Sequence, residues 1–247
     1  MSVIGLVIPC FKESTRLPKF LPALLGELAT LPARVVVQVV DDGSGEVEAT
    51  KLSEFVDSVR NGSHVDVRPV LRLPQNIGKG GTVHSGWNHL VEECDWLAFV
   101  DADGAVPADE TRRLLSEAIA GPQKTAWFAS RVQAEGVERS LLRDLVGFGF
   151  RLLTHVLVCL PVRDTQCGLK ALPTAAYQDI RADLKRRDFA FDIELALTLH
   201  QRGYTLRELP IHWREQPGGH VRARHAFMMA MAVLGFGIRR WFGSPRR

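Results

Sequence analysis

Apolar and β-branched runs of strand length alternate with helical patterns through the first half of this 247-residue chain, and no other feature limits its fold as tightly. The runs are Val3–Ile8, Val35–Val40, Val65–Leu71, Trp96–Val100 and Thr125–Ala129, and the helical stretches are Leu17–Leu28, Glu46–Val59, Thr82–Glu93 and Glu110–Ala120. Strand–helix–strand order implies an α/β fold, a mostly parallel sheet covered by helices on both faces. Trp96-Leu-Ala-Phe-Val100 is apolar throughout, as a strand buried on both sides must be. No internal repeat or low-complexity linker interrupts the pattern.

That strand ends abruptly in Asp101-Ala-Asp103-Gly104. Ligands of open α/β sheets bind beyond the carboxyl ends of the strands. Two acids there repel each other unless a positive group sits beside them. A divalent cation shared with a substrate phosphate is one solution, because Mg²⁺ usually takes only one or two protein carboxylates. Asp also favours turns and helix N-caps, so the pair alone leaves a turn reading open.

Other strand ends point the same way. The first strand runs into Pro9-Cys-Phe11-Lys-Glu13 and the second into Asp41-Asp42-Gly43-Ser44. Acids so placed can accept hydrogen bonds from a ribose hydroxyl or a base N–H, although Asp-Gly-Ser serves a turn equally well. Asn76-Ile-Gly78-Lys79-Gly80-Gly81 precedes a helix, where glycines permit close approach of a ligand and the N-terminus favours anions. P-loop spacing and a Gly-x-Gly-x-x-Gly turn after a strand are both absent, which counts against kinases, ATPases and dehydrogenases.

After Arg131 the character changes. Ser140–Leu160 reads as an amphipathic helix with a basic side, followed by a loop over Pro161–Gly168. Helices are expected near Thr174–Leu184 and Asp192–Arg202, then a short strand over Leu206–Trp213. Arg131 stands just beyond the fifth strand, and Arg139 and Arg143 lie four apart on one helical face. Guanidiniums clamp phosphate well, but solvated surface is the usual place for an arginine. Asp164-Thr-Gln-Cys-Gly-Leu-Lys170 sets polar groups and a glycine within an apolar stretch, as functional loops do. Asp192 and Glu194 open a helix, where the dipole alone favours acids. His84, His89 and His200 lack ligand spacing and read as structural.

Composition bounds the setting. Hydrophobic residues make up 46% and charged residues 24%, as in an ordinary soluble protein. Four irregularly spaced cysteines suggest a reducing compartment without a zinc knuckle or disulfide framework. The N-terminus lacks a basic leader region and reads as a first strand. The net charge of +3 hides an asymmetry: from Trp213 onward seven Arg face one acid, Glu215. Within that tail the apolar stretch Ala226–Ile238 would reach only about 20 Å as a helix, against a hydrocarbon core of about 30 Å. It suits a membrane surface or a partner helix, or packs as a terminal core helix. Nucleic acid is not an expected partner, since the basic tail lacks interleaved aromatics and any recognised module.

Taken in order, the motifs resemble family 2 glycosyltransferases with the GT-A nucleotide-sugar-binding fold, and within them the dolichyl-phosphate (polyprenyl-phosphate) glucose and mannose synthases. The matching pieces are Val7-Ile-Pro-Cys-Phe-Lys-Glu13, Val40-Asp-Asp-Gly-Ser44, Asn76-Ile-Gly-Lys-Gly80, Asp101-Ala-Asp-Gly104, Ser130-Arg131 and Arg139-Ser-Leu-Leu-Arg143. Asp164-Thr-Gln-Cys-Gly168, Phe191-Asp-Ile-Glu194 and Trp213-Arg-Glu continue the series, and the first two together lean toward the glucosyl branch. The resemblance implies inverting transfer of a sugar from a nucleotide donor, UDP-glucose favoured, to a polyprenyl monophosphate. It implies that Asp101 and Asp103 bind Mg²⁺ or Mn²⁺, that Arg131 and Arg143 contact phosphates, and that Pro9, Phe11, Glu13, Asp42, Gly78 and Lys79 line the donor site. A phosphate acceptor is ionised at pH 7 and needs no general base, whereas an alcohol acceptor would need one, with Asp192 the candidate.

Three departures stand out. The Gly-Ser-Lys common in the glucose synthases is Gly218-Gly-His220 here, with His220, Arg222 or Arg224 as substitutes for the lysine. No transmembrane helix is expected, so the chain would sit peripherally at the cytoplasmic membrane face, use a membrane-embedded partner, or take a soluble acceptor. Gly237-Ile-Arg-Arg-Trp241 lacks the Gln of processive relatives. The expected organisation is a GT-A domain over residues 1–213, with a nucleotide-binding half and an acceptor-facing half, and a basic amphipathic segment over 214–247. GDP-mannose as donor, a hydroxyl acceptor, and a non-catalytic nucleotide-binding subunit are the alternatives.

Overall fold

The computed structural model describes residues 1–60, 63, 65–131, 160–214 and 231; the expectations for Arg139, Arg143, His220, Arg222 and Arg224 lie outside them, as do those for Ser140–Leu160 apart from Leu160 and for the Ala226–Ile238 helix apart from Met231. Among the described residues eight strands form one sheet: β1 (Val3–Cys10), β2 (Arg34–Asp41), β3 (Asp66–Val67), β4 (Leu71–Arg72), β5 (Trp96–Val100), β6 (Thr125–Ser130), β7 (Leu169–Pro173) and β8 (Thr205–Pro210). Their order is β3-β2-β1-β5-β7-β6-β8, with β4 also paired to β2. Among the described residues every strand pairing is parallel except those of β7, which runs antiparallel to both β5 and β6.

Side-chain alternation along the strands builds two cores. Trp96, Ala98 and Val100 face one way, with Ile4, Leu6 and Ile8, and pack under α1 (Leu17–Leu28), α2 (Glu46–Arg60) and α4 (Ala108–Ala120). Leu97 and Phe99 face the other way, with Val7, and pack under α3 (Lys79–Leu90), α5 (Thr174–Ile180) and α6 (Phe191–Gln201). The expected mostly parallel, doubly covered sheet is therefore present.

Two expectations need correction. The strand read over Val65–Leu71 is two short strands, because Pro69 between them has no N–H for the ladder. Leu169–Pro173, given no strand in the sequence reading, is β7, fully buried in mid-sheet. Five residues with an interior lysine and a terminal proline carry little strand signal, yet tertiary pairing imposes the conformation. Pro9 lies within β1, where the pairing to β5 has already ended at Val7–Phe99 and no N–H is required on that side.

His84, on α3, is 4% exposed and packs edge-on against Phe191 at a centroid distance of 5.0 Å. Its Nδ1 lies 2.9 Å from the Tyr177 hydroxyl, which donates to Asn88 Oδ1, and Nε2 has no partner. Burial, helped by the charge of Arg187, lowers its pKa from 6.5 to about 4. A group whose folded pKa is depressed in this direction favours the neutral imidazole, so its contribution is complete above pH 6.5 and is lost as pH falls toward 4. Urea denaturation at pH 7.5 and pH 4.5 is expected to show a stability loss on the order of 3 kcal/mol attributable to this residue. His84→Gln should flatten that part of the slope; an identical pH dependence in the variant would contradict the assignment.

Candidate functional site

The parallel strands deliver their following loops to one edge: Glu13 after β1, Asp42 after β2, Asp101 and Asp103 after β5, Arg131 after β6. Because β7 runs backwards, the loop that precedes it, Asp164–Gly168, reaches the same edge; Val100 pairs with Leu169, and the Asp101 N–H donates to the Gly168 carbonyl. Residues 211–214 after β8 close the group. Ile211 N–H donates to Ser130, Arg214 N–H to Ala105, and His212 N–H to the buried Glu110 carboxylate.

At the centre is a chain of alternating charges. Lys170 Nζ, 2% exposed at the side chain, lies 2.6 Å from Asp192 Oδ1 and donates to the Cys167 carbonyl at 2.7 Å. Asp192, the second residue of α6 and 1% exposed, lies 3.5 Å through Oδ2 from Lys79 Nζ. Lys79, the first residue of α3, reaches Asp101 at 2.9 Å to Oδ1 and 3.1 Å to Oδ2. Both ammoniums also lie near the Phe99 ring, at 5.1 and 5.0 Å from its centroid. Burial opposes the Lys79 ammonium, but Asp101 and Asp192 outweigh it and hold its pKa above the ordinary value.

The acids on the open side are less well compensated. Burial raises the Asp101 pKa, Lys79 opposes the rise, and the like charge of Asp103 adds to it. Glu13 is raised by burial, against the pull of Arg16, with Asp103 and Asp101 contributing. Asp103 makes no ion pair among the described residues; its Oδ1 accepts the Ala105 N–H at 3.0 Å in a tight turn. Glu13 is paired to Arg16 and Asp101 to Lys79, so of these three mutually repelling carboxylates Asp103 is the one without an ion pair among the described residues. Among the described residues no three His, Cys, Asp or Glu side chains are grouped closely enough to enclose a metal. Asp101 and Asp103 have the chemistry to hold a divalent cation such as Mg²⁺, which usually takes only one or two protein carboxylates.

Arg131 is held in a fixed plane. Its Nε and Nη2 donate to Asp164 Oδ2 and Oδ1, each at 2.7 Å, its backbone N–H donates to Oδ2 at 3.0 Å, and its guanidinium stacks 5.7 Å from the Trp213 ring. That partner overcomes burial and depresses the Asp164 pKa. Asp164 is anchored in turn by its N–H to Glu208.

The glycine loop is organised by protein contacts. Asp42 spends its carboxylate on the N–H groups of Ile77 (2.7 Å) and Gly78 (3.0 Å), so it shapes the loop directly. Gly78 has φ +85°, and a Cβ there would sit 2.6 Å from the Arg187 carbonyl. Glu194 accepts the N–H groups of Lys185 and Arg186, fixing the segment against which that loop packs. The β1 and β2 loops are joined as well: Lys12, at φ 58°, donates its N–H to Ser44 Oγ at 2.8 Å, beside Phe11.

The structure thus brings Lys79, Asp101 and Asp192 into contact and sets Glu13, Asp103 and Arg131 around them, whereas Arg143 lies outside the described residues. The sequence places Lys170 at the end of a functional loop without assigning it a role; the signal for one is a lysine inside an apolar five-residue run. Asp41, named there with Asp42 among the strand-end acids, is 1% exposed and its Oδ1 has no hydrogen-bond partner at the end of β2.

Residues 6–176 match the family described as Glycosyl transferase family 2. The chain is 27% identical over 244 residues to a dolichyl-phosphate beta-glucosyltransferase of Trichomonas vaginalis, covering 95% of this chain and 73% of that protein. It is 29% identical over 227 residues to the dolichyl-phosphate beta-glucosyltransferase of Homo sapiens, covering 87% and 68%. Among solved structures it resembles glucosyl-3-phosphoglycerate synthase from Mycobacterium tuberculosis in complex with Mg²⁺ and uridine diphosphate, with TM-score 0.68, 15% identity, and coverage of 99% and 81%. That likeness is one of fold, and the architecture is GT-A.

Gly168 has no spare room: a Cβ there would lie 2.1 Å from Asp101 Oδ2. Gly168→Ala is expected to push the Asp101 side chain off Lys79 and to destabilise by about 1–3 kcal/mol in urea. Gly26→Ala, in α1 with nothing within 4 Å, should instead stabilise by up to about 1 kcal/mol. Equal effects of the two would contradict the packing described.

Proposed function

This chain belongs to glycosyl transferase family 2, and from that premise we propose that it transfers glucose, with inversion, from UDP-glucose to a polyprenyl monophosphate at a membrane surface. The observation that carries the acceptor class is the state of Asp192. An alcohol acceptor needs a general base, and the base must reach the proton it removes. Asp192 is 1% exposed and lies between two lysines, one on each oxygen. A carboxylate so engaged suits a positioning role and leaves the reaction to a nucleophile that is already ionised. A phosphate monoester, with its second pKa near 6, is such a nucleophile.

The donor side follows from the acids. A divalent cation at Asp101 and Asp103 would neutralise charge on the departing nucleoside diphosphate. Lys79, at the N-terminus of α3, adds a positive charge beside that position, where the helix dipole also favours anions. Arg131, kept planar by Asp164 and Trp213, has its Nη1 side uncommitted to Asp164 and so can meet a phosphate oxygen without first paying to be ordered. Glucose and lipid phosphate are supported by the dolichyl-phosphate beta-glucosyltransferases among its relatives, and uridine diphosphate by the ligand of the Mycobacterium tuberculosis enzyme.

No helix among the described residues is long and apolar enough to cross a membrane. In this reading the basic 214–247 segment makes the contact, at the cytoplasmic face, either with anionic lipid or with a membrane-embedded partner.

The test is transfer from radiolabelled UDP-glucose to a short-chain polyprenyl phosphate with Mn²⁺. Asp103→Ala is expected to lower turnover by at least about 10²–10³-fold while leaving the circular dichroism spectrum and melting curve unchanged. Undiminished transfer by that variant, or transfer from no nucleotide sugar in a panel that includes GDP-mannose, would overturn the reading.

A further inference from the structure

We propose that Lys79 is a resident cation for Asp101: it neutralises that carboxylate while no divalent ion is bound, and it passes to the donor diphosphate when a divalent ion takes its place. The inference rests on the reading of Asp101 as a metal ligand and adds a residue that competes with the metal. Lys79 Nζ lies within 3.1 Å of both Asp101 oxygens, so it occupies the position between them that a bidentate metal would take. An ammonium and a dication repel at such a separation, and in a partly buried site that repulsion is poorly screened. One must leave.

The geometry provides for the departure. Asp192 is bound short to Lys170, at 2.6 Å, and long to Lys79, at 3.5 Å. Asp192 is thus a fixed post held by Lys170, and Lys79 is the movable partner between two acids. Released from Asp101, the Lys79 ammonium keeps Asp192 and the face of Phe99 within reach, on a stem with four rotatable methylenes. It gains a full counter-charge only when a diphosphate arrives. Metal and nucleotide should therefore bind cooperatively, because the nucleotide compensates the lysine that the metal displaces.

Electron paramagnetic resonance of free Mn²⁺, in titrations with and without UDP, reads this directly. In the wild-type protein UDP should tighten Mn²⁺ binding at least tenfold. Lys79→Met should tighten nucleotide-free Mn²⁺ binding by about tenfold and shrink the gain from UDP. If Asp103→Asn abolishes Mn²⁺ binding but Lys79→Met leaves nucleotide-free affinity unchanged or weaker, the inference falls and the metal reading stands. If Asp103→Asn changes nothing with or without UDP, the metal reading falls and takes the inference with it. Lys79→Met leaves two acids short of a partner and so risks misfolding; a measurement on the wild-type chain covers that case. In ¹⁵Nζ-lysine spectra, assigned with Lys79→Arg, diamagnetic Mg²⁺ alone should shift the Lys79 ammonium resonance and leave Lys170 in place. A Lys79 resonance that stays put while Mg²⁺ binds overturns the proposal.

Discussion

The ion pair between Lys170 and Asp192 is the contact on which the rest of the site depends. Both side chains are almost wholly buried, and neither could remain charged there alone. Because Lys170 fixes one oxygen of Asp192, the other oxygen has a defined place to receive Lys79, and Lys79 in turn holds Asp101 at the open edge. Four charges sum to zero in a low-dielectric setting. What remains uncompensated is Asp103, on the open side, where a cation brought by substrate has access.

Sheet direction makes that pair possible. A parallel β7 would have put the Asp164–Gly168 loop at the far end of the sheet, away from every strand-end acid. Running antiparallel between β5 and β6, the strand aligns Lys170 with Phe99 and Phe128 and sends the preceding loop back to Asp101 and Arg131. One reversed strand therefore supplies Lys170, the Gly168 carbonyl that accepts from Asp101, and the Asp164 that orients Arg131. The reversal gathers Asp101, Arg131 and the Asp164–Gly168 loop at one edge of the sheet.

Much of this was legible beforehand. The βα alternation announced the parallel half, and α1 falls at the predicted Leu17–Leu28 because its apolar spacing and the Pro near its start agree. Asp101, Lys79 and Asp192 were each marked by type and position, but their mutual contact was not, since it joins residues 79, 101 and 192 through tertiary packing. β7 was invisible because burial in mid-sheet, not intrinsic preference, makes Leu169–Pro173 a strand. Asp42 was marked for a ligand, and each of its oxygens also accepts one backbone N–H, from Ile77 and Gly78. A carboxylate at a strand end can face a ligand or a neighbouring loop, and only the loop's path decides between them.

The central claim is that the carboxylate best placed to act as a base is locked in an ion-pair chain, so that the acceptor must arrive already charged. The most direct measurement is initial-rate glucosyl transfer to a polyprenyl phosphate and to the matching polyprenol, from UDP-glucose under identical conditions. The account predicts product from the phosphate and none above background from the alcohol. Comparable transfer to the alcohol would mean that Asp192, or another base, is free to take its proton, and would contradict it.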